Sequence, residues 1–243
     1  DDRRILKLLI DIIRKLVKLN EETADKLIRV IDELLKMAEE SLKKVIDLVR
    51  TLVEIIRRER GKRDLERVLR RIKEEMERIK REHEEALKEI EERLKRIVDE
   101  HERLLEEIER ELREVEREAD DKPQSERVKR LRERLRRILK EILDVSRKVL
   151  KDLKDLADEI LEDSEEILKE LERLIREILK VTAETDDRKV VEELLRKVEK
   201  LIKDIRERYE RLVKKVRDLV ERWKELVRRL LKKAEDVIRE IEK

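Results

Sequence analysis

The sequence lacks the residues that usually interrupt or crosslink a chain. Among 243 residues there is no cysteine and no phenylalanine, with one each of glycine, proline, tryptophan and tyrosine. The absence of cysteine excludes disulfide bonds and thiolate metal ligands. The scarcity of glycine and proline leaves few positions at which a helix would end. No apolar run approaches the about 18 residues that cross a bilayer, and the first residues lack the layout of a secretory signal, so we expect a soluble protein.

A large excess of one charge sign is also missing. The 69 basic and 67 acidic residues give a net charge of +2, which provides no global field for nucleic acid or an anionic membrane. Charged residues make up 56% of the chain and hydrophobic residues 38%. Disorder is excluded because large aliphatic residues recur with strict periodicity. This composition is typical of long helices.

Three short segments interrupt the helical pattern, at 60–62, 120–125 and 182–187. Gly61 can take the left-handed conformation that ends a helix, and Pro123 suits a first helical turn. The third segment is rich in N-cap residues. We therefore predict four helices near 2–59, 63–119, 124–181 and 187–243, each of about 57 residues. Short loops favour antiparallel neighbours, so the prediction is a single all-α, up-down-up-down bundle over residues 1–243.

The apolar positions repeat every 18 residues, in steps of 4, 3, 4, 3 and 4. In the second helix this repeat starts at Leu65 and His83, and a third block starts at His101. Eighteen residues span five turns of an ideal helix, whereas a heptad repeat would impose a left-handed supercoil. We therefore expect nearly straight helices that share one plan. The apolar positions in this register are called the seam.

Polar residues stand where several of these blocks begin. If the chain folds back at each loop, two polar layers form, made of Ser41, His83, Ser164 and Tyr209, and of Thr23, His101 and Ser146 beside Val227. A buried polar group without a partner costs about 1–3 kcal/mol, so each layer needs hydrogen bonds between facing helices. Such layers would penalise any shifted register.

Serine beside histidine also suggests a nucleophile, but a catalytic triad needs an orienting carboxylate, an oxyanion hole and substrate access. The neighbouring seam positions are aliphatic, so we predict no catalytic residue and no cofactor. His83 and His101 lie roughly 27 Å apart along one helix and cannot share a metal ion. Trp223 and Tyr209 fit a core role better than an aromatic ligand site.

The first helix carries a second apolar stripe, offset by about 100° from its seam. We call it the second stripe; its members are Ile10, Ile13, Val17, Asn20, Ala24, Ile28, Ile31, Leu35, Leu42, Ile46, Val49 and Val53. An exposed stripe of this size exceeds what monomers usually leave in water. We therefore expect a homo-oligomer joined through this helix, with Asn20 setting register or copy number. A monomer that covers the stripe internally and a different partner chain are the alternatives.

The repeated blocks, the Ser, His, Thr and Tyr layers and the idealised loops resemble de novo designed parametric helical bundles with buried hydrogen-bond networks. This resemblance covers the whole chain and implies a scaffold or self-assembling building block with no natural activity, no substrate and no natural location. A recombinant product would then be cytoplasmic. A natural structural coiled coil is an alternative, although it would normally show aromatic core residues and irregular loops. A ligand-binding bundle would need clustered small residues, whereas Ala157 and Ala234 are isolated.

Overall fold

The computed structural model describes residues 2–58, 62–184 and 188–242. These ranges form four α-helices and contain no strand; the helices are α1 Asp2–Arg58, α2 Lys62–Asp120, α3 Glu126–Glu184 and α4 Arg188–Glu242. Leucine, lysine, arginine and glutamate are strong helix formers, and they dominate every one of these segments. The predicted all-α class is confirmed for the part of the chain that the structure describes.

The connection between α2 and α3 differs from the prediction. Helix α3 begins at Glu126 rather than at residue 124, and Pro123 lies in the loop rather than in the first helical turn. Ser125 caps the helix because its Oγ accepts a hydrogen bond from the backbone N–H of Val128 at 3.4 Å. Its carbonyl also accepts from the N–H of Lys129 at 3.0 Å. The serine hydroxyl, not the proline, therefore defines this helix start.

The other two predicted breaks lie partly or wholly outside the described residues. Residues 59–61, which include Gly61, and residues 185–187 belong to this undescribed part. Helix α3 continues to Glu184, three residues beyond its predicted end at 181. Threonine and alanine at 182 and 183 are compatible with a helix, so N-cap residue types alone placed that boundary too early.

The described helices pack in two compact units, and each unit contains a part of all four helices. Unit 1 comprises residues 1–30, 93–155 and 215–243, and unit 2 comprises residues 31–92 and 156–214. The single bundle over residues 1–243 stays a prediction.

Unit 1 has an aliphatic core to which at least three helices contribute fully buried side chains. These include Leu6, Leu9, Ile12, Ile13 and Leu16 of α1, Leu135, Leu139 and Ile142 of α3, and Val220 and Trp223 of α4. Full burial of one such aliphatic side chain stabilises a fold by roughly 1.5–3 kcal/mol. The core therefore holds both seam residues and residues of the second stripe.

Ion pairs give the direction of neighbouring helices in unit 1. Between α1 and α2 the pairs are Arg4–Glu118, Lys15–Glu111 and Lys26–Glu100, at 3.4, 2.9 and 3.8 Å. The residue number rises along α1 while it falls along α2, so these two helices are antiparallel here. Further pairs join α2 to α3, α3 to α4 and α4 to α1: Asp120–Arg132, Arg134–Glu240 and Lys224–Asp25. Each helix in this unit therefore contacts the next one, and α4 contacts α1.

Unit 2 shows the same antiparallel relation between α1 and α2. Lys44 pairs with Glu82 at 3.6 Å, and Ser41 hydrogen bonds to His83. Lys80 of α2 reaches Glu172 of α3 at 2.5 Å, and Arg208 of α4 reaches Asp163 of α3 at 2.7 Å. The described core side chains of this unit include Ile31, Leu34 and Val45 of α1, Ile72, Met76 and Ile79 of α2, and Leu195, Val198, Ile202 and Ile205 of α4.

Candidate functional site: buried hydrogen bonds between helices

The most distinctive buried polar contact in unit 1 joins α1 to α2. Thr23 Oγ1 lies 2.7 Å from His101 Nδ1. Both side chains are buried, and His101 is only 1% exposed. Thr23 and His101 were predicted to share a layer because the 18-residue blocks place them at the same height. The structure brings these two residues into direct contact.

A second buried pair in unit 1 joins α1 to α3. The hydroxyl of Ser146 donates a hydrogen bond to Oδ1 of Asn20 at 2.9 Å. Ser146 is 0% exposed and Asn20 is 2% exposed. The sequence placed Ser146 beside Thr23 and His101, and placed Asn20 at a contact between copies. In the structure Asn20 lies inside unit 1 and Ser146 is its hydrogen-bond donor, while the predicted role of Asn20 in setting register or copy number stays a prediction.

Trp223 of α4 contacts the ring of His101. The two rings meet edge to face, with centroids 5.9 Å apart and planes at 80°. Among the described residues, His101 Nε2, Trp223 Nε1 and Asn20 Nδ2 are buried without a hydrogen-bond partner. Burying these unpaired atoms costs free energy. The edge-to-face contact between the two rings offsets part of that cost, because ring edges carry positive partial charge and ring faces carry negative partial charge. All four helices thus supply a side chain to this polar region of unit 1.

Unit 2 contains the corresponding pair from the other predicted layer. His83 Nδ1 lies 3.0 Å from Ser41 Oγ, again between α2 and α1. Tyr209 of α4 is buried, with 4% of its surface exposed, and makes an interaction of its own. The side chain of Ser164, the remaining member of this predicted layer, lies outside the described residues.

Burial sets the protonation of both histidines. Loss of solvation lowers the pKa of His101 from 6.5 to about 4, and the same cause lowers the pKa of His83. Both rings are therefore neutral at pH 7, and a neutral ring offers one donor nitrogen and one acceptor nitrogen. A hydroxyl can hydrogen bond to either nitrogen of the neutral ring, because a hydroxyl can donate or accept.

The two histidine–hydroxyl pairs do not have the geometry of a catalytic triad. In the described part of the chain, the hydrogen bonds of His83 and His101 go to the hydroxyls of Ser41 and Thr23, and no carboxylate is among their partners. A triad needs a carboxylate to orient the imidazole while the hydroxyl attacks. No group of three or more His, Asp or Glu side chains with metal-binding geometry occurs among the residues that the structure describes. The geometry is that of a helix-to-helix contact.

Most of the described side chains of the second stripe in unit 1 are buried within the single chain. Ile10, Ile13, Val17 and Ala24 are each 7% exposed or less, and Ile28 is half-buried. This part of the stripe is therefore covered within unit 1, and the predicted contact between copies stays a prediction. The seam and the second stripe of α1 can both be covered because α1 contacts α2 through Thr23 and α3 through Asn20.

The continuation of the second stripe falls in unit 2, where fewer side chains are described. Ile31 is buried, at 5% exposure. The side chains of five further predicted members lie outside the described residues: Leu35, Leu42, Ile46, Val49 and Val53. The predicted contact between copies stays a prediction for these five positions.

Two grooves lie on the surface of the described helices. In unit 1 a groove of about 340 Å³ runs between α2 and α3, with Leu105 and Leu150 among its lining residues and the Arg147–Glu109 ion pair at its side. In unit 2 a groove of about 510 Å³ is lined by charged residues of α1 and by Arg206 of α4. Charges of both signs line each groove, which is typical of a solvated helix surface. None of the helices in the described ranges has an apolar stretch long enough to span a bilayer.

Comparisons with known proteins give matches among solved structures only. No protein-family model matches the chain, and no curated protein matches it either. Among solved structures, the chain is similar to a computationally designed three helix bundle, with 21% sequence identity and a TM-score of 0.46. That match covers 95% of this chain and 93% of the designed chain.

The Asn20–Ser146 bond and the His101–Trp223 contact were missed by sequence reasoning. A signal for the first was present, because Asn20 precedes Thr23 by three residues and so lies near it on the helix surface. Both polar residues therefore stand at nearly the same height, each pointing to a different neighbour. For Trp223, its position one turn before Val227 on the same seam was the available signal.

Proposed function

We propose that this chain is a designed structural scaffold whose buried polar pairs specify how its helices associate. The observation that carries the proposal is the set of three hydrogen bonds between helices, Thr23–His101, Asn20–Ser146 and Ser41–His83. Each bond joins two different helices; the first two bonds are buried and the third is part-buried. A polar pair that fits only one register contributes specificity rather than affinity.

We also propose that the four helices form an up-down-up-down bundle. Support comes from the ion pairs in each unit, which run in opposite chain directions along neighbouring helices. Pairs between α2 and α3 in unit 1 behave in the same way, since Asp120 meets Arg132 and Glu116 meets Arg136. The short loop at 121–125 also favours an antiparallel reversal.

The burial of the second stripe in unit 1 favours a monomeric scaffold over one that associates through the first half of α1. Exposing Ile13 or Ala24 to a second copy would require that core to open. Light scattering behind a sizing column, at several concentrations, measures the copy number directly. A mass of 29.9 kDa supports the monomer, whereas a concentration-independent multiple of it supports association through the five undescribed positions.

The proposal is tested by removing one polar pair in two ways. Replacing only Ser146→Ala leaves Asn20 Oδ1 buried without its donor and is expected to cost about 1–3 kcal/mol in the free energy of unfolding. Replacing both, as Asn20→Leu with Ser146→Ala, is expected to restore stability to at least the parent value, because apolar packing often outperforms a buried polar pair. Guanidinium denaturation followed by circular dichroism measures both.

Specificity needs a separate measurement. Nitroxide labels on cysteines introduced at Lys15 and Glu111, which form an ion pair between α1 and α2, report the register of these helices. In a background of Thr23→Val with His101→Leu we expect a broader distance distribution than in the parent and undiminished helicity. The same labels in an Asn20→Leu, Ser146→Ala background, where the Thr23–His101 bond is intact, provide the matched control. A narrow, unchanged distribution in the first background would contradict the proposed role of the polar pairs.

A further inference from the structure

Two contacts in unit 1 cross its interior along different lines. Ion pairs join α1 to α2, α2 to α3, α3 to α4 and α4 to α1, so the four helices of this unit stand in that order around a common core. In such a ring, α1 is diagonal to α3 and α2 is diagonal to α4. The Asn20–Ser146 hydrogen bond spans the first diagonal, and the His101–Trp223 contact spans the second. Both contacts therefore pass through the centre of the unit.

The histidine and the tryptophan are level with one turn of α1. His101 directly follows Glu100, which pairs with Lys26 of α1 at 3.8 Å. Lys224, the residue after the tryptophan, pairs with Asp25 of α1 at 2.7 Å. Because the two partners on α1 are consecutive residues, the diagonal from α2 to α4 lies at the height of that turn.

The diagonal from α1 to α3 lies at nearly the same height. Thr23 contacts Nδ1 of His101 at 2.7 Å, and Asn20 precedes Thr23 by three residues, about 4.5 Å along the helix axis. Ser146 is level with Asn20 because its hydroxyl donates to Oδ1 of that side chain. Two diagonals at one height meet near the centre of the unit, and we call this place the crossing.

Three polar atoms at the crossing are buried without a hydrogen-bond partner among the described residues. They are Asn20 Nδ2, Trp223 Nε1 and His101 Nε2, and each belongs to a residue that is at most 2% exposed. The amide and indole nitrogens can only donate, whereas an imidazole nitrogen without a hydrogen accepts. An orphaned buried polar atom is costly, so one partner that serves all three atoms removes the largest polar cost of this layer.

A water molecule has the matching capacity. Water can accept two hydrogen bonds and donate two, and an internal water typically makes about three hydrogen bonds to otherwise unpaired buried groups. Two hydrogen bonds of about 2.9 Å each span up to about 5.8 Å. The centroids of the histidine and tryptophan rings are 5.9 Å apart, which is close to that span.

Side-chain size at the crossing also favours a water molecule over close aliphatic packing. Ser146 lies between Ile142 and Leu150 along the seam of α3, and all three residues are buried. The serine side chain is much smaller than its two seam neighbours. A polar site with a small side chain and several convergent partners is the kind that holds an internal water.

We propose that unit 1 binds one internal water molecule at the crossing. The water accepts hydrogen bonds from Asn20 Nδ2 and Trp223 Nε1 and donates one to His101 Nε2. This assignment also fixes the tautomer of His101, since Nε2 is then bare and Nδ1 carries the hydrogen that it donates to Thr23 Oγ1. With the hydrogen on Nε2, three donors would face one water molecule, which accepts only two hydrogen bonds.

The inference goes beyond the proposed scaffold function and stands or falls separately from it. The direct bonds between helices, such as Thr23–His101 and Asn20–Ser146, exist with or without the water molecule. Their role in helix register is measured by the spin labels described above, whereas the bound water is measured by its own exchange with solvent.

Oxygen-17 relaxation dispersion of the solvent, on the full chain at pH 7.0, counts long-lived internal waters and does not respond to exchanging hydroxyl hydrogens. In a ring variant, His101→Leu with Trp223→Phe, only Asn20 Nδ2 remains of the three partners, and we expect the loss of one long-lived water relative to the parent. The matched control is Leu135→Ala, which opens an apolar position in the same unit. Apolar cavities stay dry, so its water count should equal that of the parent.

A second measurement needs no variant to fold. NMR of the parent labelled with 15N-histidine distinguishes the bare ring nitrogen from the one that carries hydrogen, and the spectrum of His83→Leu identifies the signals of His101. At pH 7.0 we expect the hydrogen on Nδ1 and a bare Nε2. A hydrogen on Nε2 would overturn the proposal. So would a parental water count in a ring variant that circular dichroism shows to be folded, or the same loss of one water in Leu135→Ala.

Discussion

Acidification should destabilise the protein through His101 before it affects most carboxylates. In the folded state, burial lowers the pKa of His101 from 6.5 to about 4, whereas the unfolded chain retains the ordinary value. Between these two pH values the unfolded state binds the additional proton, so the free energy of unfolding rises with pH across this window. The stabilisation is therefore present above pH 6.5 and is lost as the pH falls toward 4.

The size of this loss follows from the difference between the two pKa values. Each unit of pKa corresponds to about 1.4 kcal/mol. When the His101 ring is protonated in the unfolded chain but still neutral in the fold, the free energy of unfolding is therefore lower by about 3 kcal/mol. His83 acts in the same direction because burial lowers its pKa as well. Below pH 4 the contribution of His101 levels off, since the folded state then accepts the proton too.

The assay is urea denaturation followed by circular dichroism at pH 7.0, 5.5 and 4.5, on the parent and on His101→Leu. Urea is preferred because it leaves the ion pairs unscreened. We expect the parent to lose about 2–3 kcal/mol between pH 7.0 and 4.5 beyond any loss in the variant. If the free energy of unfolding changed equally with pH in the two proteins, the pH dependence could not be assigned to His101. Direct titration of the ring by NMR with a midpoint near 6.5 would refute the burial argument itself.

Two further predictions concern single side chains. Ser125→Ala removes the hydroxyl that accepts a hydrogen bond from the N–H of Val128, so it should lower the free energy of unfolding by about 1 kcal/mol. Ser125→Asn, which can still cap the helix, is the control. An unchanged denaturation midpoint in Ser125→Ala would show that the cap is not formed. Leu135→Ala empties a fully buried position and should cost about 2–5 kcal/mol, whereas Leu226→Ala, at a position 40% exposed, should change stability by less than about 0.5 kcal/mol. Comparable losses at both leucines would contradict the assignment of the core.

The helices could be predicted from the sequence because apolar periodicity and helix-breaking residues act locally. The start of α3 was misplaced because proline and serine both favour a helix beginning, and only the hydrogen bond to Val128 decides between them. The predicted end of the same helix relied on N-cap residue types, which are weak evidence because a helix can continue through them.

Only some of the polar contacts could be predicted from the sequence. Periodicity puts residues at a common height, which was sufficient to pair Thr23 with His101 and Ser41 with His83. It does not determine which neighbour covers each face of a helix. The second stripe of α1 was therefore assigned to another copy, although α3 of the same chain reaches it through Ser146 and Asn20. Side-chain directions around four helices are a property of the packed unit, not of any one segment.

The two aromatic chromophores are distributed in a way that separates the two units spectroscopically. Trp223, the sole tryptophan, is buried in unit 1, and Tyr209, the sole tyrosine, is buried in unit 2. Indole emission therefore follows the melting of one unit, phenol absorbance follows the other, and circular dichroism follows all helices together. Coincident transitions would establish cooperative unfolding, while separated midpoints would reveal two foldons within one chain of continuous helices. The native sequence thus carries a label in each unit, and no introduced dye is needed.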